Sequence, residues 1–176
     1  SPFKMLCPIR TMNFNQGRIK LLDIIGIGSE VISLVEVLDA NETNLPVPQC
    51  SIDRPFMVTL ATRDIETTKN FYYNKLSIEK SPEVQSEIWP LSDAFQYNRD
   101  TTYALSKNLF GEKTFLELHE YPEDSTRRNL ISGNLHPGIC HITITLPKID
   151  DLTLYWLTEP IQIESGAYKN CKQVTF

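Results

Sequence analysis

Phe56-Met57-Val58-Thr59-Leu60-Ala61-Thr62-Arg63-Asp64 is the stretch from which the fold is read. Its apolar and β-branched residues favour a strand. Alternation puts Met57, Thr59 and Ala61 on one face and Phe56, Val58 and Leu60 on the other. Asp64 is a residue type that caps helix N-termini, because its carboxylate accepts from the free amides of the first turn. The spacing then predicts a helix to about Leu76, with Ile65, Tyr72 and Leu76 on one side and Phe71 beside them.

Downstream, residues 77–100 are uneven and hold Pro82 and Pro90, which reads as one strand plus a loop. Residues 101–109 and 113–120 read as two further strands turned by Gly111. Upstream, the apolar runs 19–25 and 30–38 flank Gly26-Ile27-Gly28-Ser29, the pattern of a hairpin. The Gly26-x-Gly28 pair does not mark a dinucleotide site. Position 31 is Val, and the next segment is β-branched rather than a helix able to receive a phosphate at its N-terminus. Residues 41–53 are polar, hold Pro46 and Pro48, and read as a linker or module boundary. Residues 121–137, with Arg127-Arg128 and Gly133, read as an exposed connection. Beyond it the pattern predicts a strand over 139–146 ended by Pro147, a short helix over 149–157, and strands over 161–165 and 171–176.

At 176 residues, 41% hydrophobic and 22% charged, the composition is that of one globular domain or two small modules sharing a core. The formal net charge is -5, with no basic stripe, so a nucleic-acid partner is excluded. No apolar run approaches the roughly 18 residues of a membrane span, and residues 1–10 lack the pattern of a signal peptide. Cys7, Cys50, Cys140 and Cys171 are far apart with no CxxC, which reads as reduced, mostly buried thiols in a cytoplasmic protein.

An order recurs: Phe56 to Leu60, Asp64 and a helix are followed later by Gly138-Ile139-Cys140-His141-Ile142-Thr143-Ile144, Asp150 and a helix. With Phe71-Tyr72 and Phe115-Leu116-Glu117-Leu118, these segments carry a resemblance. The sequence resembles the vicinal oxygen chelate superfamily of glyoxalases, extradiol dioxygenases and bleomycin-resistance proteins. The resemblance implies an α+β fold in which paired β-α-β-β-β modules form a curved, cup-shaped mixed sheet with helices outside. Residues 54–122 match a complete module. Residues 1–45 match the terminal hairpin portion of one, and residues 138–176 the start of a second. Either the chain is part of a longer, multi-module bacterial member, or its N-terminal hairpin completes the C-terminal half-module, since open strand edges are costly to expose.

The resemblance also implies four metal-ligand positions facing the cup. They fall on Met57, His141, Glu117, and either Ser33 or a residue beyond Phe176. Imidazole and carboxylate suit Fe, Mn, Zn or Ni, whereas Met57 is a soft thioether. His119 lies two residues after Glu117 and shares its face, so Glu117, His119 and His141 form an expected three-ligand metal set. Two alternatives stand beside it. His141 is a hydrogen-bonded core or pocket residue, or Glu117 is a catalytic general base, alone or paired with His119. Met57, Thr59, Thr143 and Thr145 are expected to line the pocket, and Trp89 and Phe95 either pack or line it as well. No GxSxG is present. Cys140 and His141 are strand neighbours that point opposite ways, so they do not make a nucleophile–base pair.

The implied partner is a small-molecule ligand, with no nucleic acid or membrane, in a homodimer. The implied functions are a metal-dependent lyase, isomerase or ring-cleaving dioxygenase; a metal-free binder of the bleomycin-resistance type; or a non-catalytic scaffold module.

Overall fold

The N-terminal strands build a sheet of their own. In chain order they are β1 (Lys4–Met5), β2 (Arg10–Phe14), β3 (Gly17–Ile25) and β4 (Val31–Val37), all antiparallel about β3. β4 pairs with one side of β3, and β1 and β2 follow each other along the opposite side. The expected hairpin is therefore β3–β4, with Ser29 at φ 64 in its turn. This computed structural model describes residues 2–43, 45–109, 114–126, 131–132, 134, 137–139, 141–145, 149, 152 and 154–175.

Buried Asp23 ties this sheet together. It accepts from Arg10 Nη1 at 3.1 Å, from the Ser33 hydroxyl, and from the Cys7 thiol at 3.7 Å. Three strands and the loop before β2 are thereby tied to one carboxylate. Burial pushes the Cys7 thiol up from its ordinary range, against the pull of the Arg10 guanidinium. A single-turn helix, α1 (Ala40–Thr43), closes on β3. Gly17 is needed there, because a Cβ would come within 2.8 Å of the Thr43 methyl and 3.0 Å of the Asp39 carbonyl oxygen.

The next unit is the one the opening stretch predicts. β5 (Met57–Thr62) leads into α2 (Ile65–Leu76), β6 (Glu83–Glu87), α3 (Trp89–Phe95), β7 (Thr102–Leu109) and β8 (Phe115–Glu120). The sheet order is β5-β8-β7-β6, with β5 and β8 parallel and the remaining pairs antiparallel. This is one complete β-α-β-β-β unit with an added short helix, and the chain as a whole is α+β. Asp64 caps α2 as expected, accepting from the Thr67 amide at 2.8 Å and the Thr67 hydroxyl at 2.6 Å. Ile65 and Leu76 of α2 pack with Ile78, Leu116 and Leu118, and Val58, Leu60 and Tyr72 complete that core.

Several sequence expectations are corrected. Residues 77–100 hold the expected strand, β6, but part of the expected loop is α3, with Pro90 in its first turn, where a missing amide proton costs nothing. Residues 139 and 141–145 form no strand: Gly138 donates to the Gly28 carbonyl, and the described residues after it find no ladder partner. Alternation sets which way side chains point, but a strand exists only where its amides and carbonyls are paired. Residues 149, 152 and 154–157 form no helix, although Leu152 and Leu154 still pack against the α2 core. The final expected strands contract to β9 (Ile161–Gln162) and β10 (Lys172–Gln173), a short antiparallel pair. Gly111, Arg127, Arg128, Gly133, Cys140, Pro147 and Asp150 lie outside the described residues. Cys7 is buried, as expected of these thiols, but Cys50 and Cys171 are exposed.

Leu118 has no exposed surface, so Leu118→Ala should cost about 2–5 kcal/mol in urea unfolding. The Thr67 hydrogen bonds hold the Asp64 carboxyl below its ordinary range. A depressed carboxyl stabilises above its unfolded pKa of about 3.9, and that contribution is lost as pH falls through the folded value. Melting temperatures of wild type and Asp64→Ala should therefore differ near neutral pH and converge in acid.

Candidate acid–base site on the β8 sheet face

Strand alternation divides β8 into two sets of side chains. Leu116 and Leu118 face α2 and its core, so Phe115, Glu117 and His119 face the other way. Register extends that second face across the sheet. Glu117 lies opposite Thr59 on β5 and Lys107 on β7, while His119 lies opposite Ala61 and Leu105. Met57 and Phe115 continue the same rows.

His119 Nε2 is 2.9 Å from Glu117 Oε2, and each side chain is only 13% exposed. The Thr59 hydroxyl donates to the same carboxylate oxygen at a long 3.5 Å. An ionised carboxylate only accepts, so Nε2 is the donor of this hydrogen bond. A carboxylate that orients an imidazole in this way leaves the second ring nitrogen free to take or give a proton.

Lys107 is half-buried on the same face, with Tyr103 and Leu105 buried on the same side of β7. Its Nζ stands 3.6 Å from the ring centre of Phe14, contributed by β2 of the other sheet. Burial pushes the Lys107 ammonium below its ordinary value, and Glu117 opposes that shift. The face thus presents a carboxylate, an imidazole, a hydroxyl and an ammonium, with an aromatic ring above the ammonium.

The remaining sequence candidates divide between this face and other parts of the chain. Met57 is half-buried and Thr59 exposed, both on this face. His141, Thr143 and Thr145 are exposed on the irregular segment after Gly138. Ser33 lies on β4 and spends its hydroxyl on Asp23. Among the described residues, no group of three His, Cys, Asp or Glu side chains is arranged to hold a metal ion. Of the expected set, Glu117 and His119 are in direct contact with each other. Trp89 packs between cations, with the Arg10 guanidinium 5.4 Å and the Arg99 guanidinium 5.1 Å from its ring centre. Phe95 stacks on Tyr97 and meets Tyr121 edge-on.

No family model, curated protein or solved structure matches this chain. Among the described residues, no helix is long and apolar enough to cross a membrane.

Sequence reasoning missed Lys107 and Phe14. The signal for Lys107 was local: it interrupts the row Tyr103, Leu105, Leu109 with a cation. Phe14 carried no such signal, because its role depends on one sheet meeting the other.

Glu117→Gln removes the charge that supports the Lys107 ammonium, so the Lys107 pKa should fall further. Phe14→Ala admits water and should raise it toward the ordinary lysine value. Both shifts can be read by NMR titration of the Lys107 side chain. A lysine whose pKa is lower folded than unfolded opposes folding while charged. Wild-type stability should therefore gain from this group as pH rises from the folded pKa toward the unfolded one.

Proposed function

We propose that the protein binds a small molecule against the face formed by Thr59, Lys107, Glu117 and His119, without a metal, and that Glu117 and His119 act there as an acid–base pair. The observation that carries this reading is the 2.9 Å contact between two side chains largely shielded from water. A shielded imidazole–carboxylate pair beside a half-buried ammonium serves a ligand better than it serves stability, since shielded polar groups are costly to desolvate. The resemblance to the vicinal oxygen chelate superfamily supports the same class of function, a small molecule held by a β-α-β-β-β module. Free Cys7, Cys50 and Cys171 fit a reducing compartment such as the cytoplasm.

The metal-dependent lyase, isomerase or dioxygenase remains the second reading, favoured by the donor chemistry of the same pair: a carboxylate and an imidazole suit Fe, Mn, Zn or Ni.

His119 C–H resonances should shift when a panel of small aromatic compounds is titrated into the protein. Ligand at 100 times its Kd should add about 2.7 kcal/mol to the unfolding free energy. Glu117→Gln should weaken both responses, and His119→Asn should weaken the stabilisation. Panel compounds that bind without moving the His119 signals would place the ligand elsewhere and overturn the assignment. Zinc or manganese bound stoichiometrically by wild type and lost in both variants would favour the second reading.

A further inference from the structure

Two other shielded cations are paired with carboxylates. Lys69 is held between Glu66 and Glu83, each at 3.2 Å, and Arg10 meets Asp23 at 3.1 Å. Lys107 is different. It has no ion pair with any described residue, although Glu117 stands directly opposite it in the ladder. Glu117 is turned instead to His119. An ammonium drawn partly out of water without a counter-charge is costly, and the Phe14 ring face offsets only part of that cost.

We propose that the ligand of this face is a small organic carboxylate with an apolar or aromatic body, its carboxylate pairing with Lys107 Nζ and its body lying against Phe14. The inference rests on the reading of this face as a ligand site, and it adds the chemical class of what binds. The negative charge of Glu117 repels an anion, so the ligand carboxylate approaches Lys107 from the side away from Glu117. That placement leaves His119 Nδ1 free to meet the rest of the ligand. The burial that lowers the Lys107 pKa is consistent with this arrangement, because a bound carboxylate restores the charge that burial disfavours.

The test uses the full chain and two pairs of probes of matched shape: benzoate with benzamide, and phenylacetate with phenylacetamide. Calorimetric titration of wild type should give the carboxylates about tenfold tighter binding than their amides, the advantage of one charge-assisted hydrogen bond. Lys107→Met and Lys107→Gln should each abolish that preference, and Lys107→Arg should keep part of it. Thermal melts check that each variant is folded, and two neutral replacements guard against the loss of one. Equal binding of carboxylate and amide by wild type would overturn the carboxylate assignment, and so would a preference that survives in a folded neutral variant. If the amides still move the His119 resonances in that case, the ligand site stands and only its charge preference falls. If no probe of either kind moves them, the site and this inference fall together.

Discussion

The parallel ladder between β5 and β8 runs from Met57↔Phe115 to Thr62↔Glu120, and its register decides what each face of the sheet can do. One face gives Val58, Leu60, Leu116 and Leu118 to the core under α2. The other gives Thr59, Glu117 and His119. A slip of one residue would exchange these sets, driving a carboxylate and an imidazole under the helix and exposing Leu118. The burial of Leu116 and Leu118 therefore fixes which face Glu117 and His119 occupy.

The second constraint is the approach of the N-terminal sheet. Phe14 reaches Lys107, and Arg10 stands over Trp89 at the start of α3. Arg10 also belongs to the Asp23 cluster, so one guanidinium joins the interior of the first sheet to the helix beside the second. Such a buried pair is weak evidence of net stabilisation, but removing one partner strands the other charge, at a typical cost of about 3–5 kcal/mol. The approach of the two sheets places the Phe14 ring over Lys107.

Shielding and charge then combine at the site. Glu117 is shared among His119, Thr59 and, through space, Lys107. With the His119 hydrogen bond made, the carboxylate holds the imidazole, and the ammonium has no ion pair with any described residue.

Much of this was legible in the amino-acid order. The strand over 56–62, the Asp64 cap, the helix to Leu76 and the common face of Glu117 and His119 follow from local rules: a strand repeats every two residues, and a helix start needs an acceptor for its free amides. The β3–β4 hairpin was legible for the same reason. What failed was whatever needed a distant partner. Residues 139 and 141–145 alternate like a strand yet form no ladder among the described residues. Pro90 reads as a breaker until its place in the first turn of α3 is known. Phe14 and Lys107 meet only because two sheets come together. The backbone's own geometry determines where side chains point along an element. Only tertiary structure decides which elements lie opposite, because pairing and burial are properties of two segments at once.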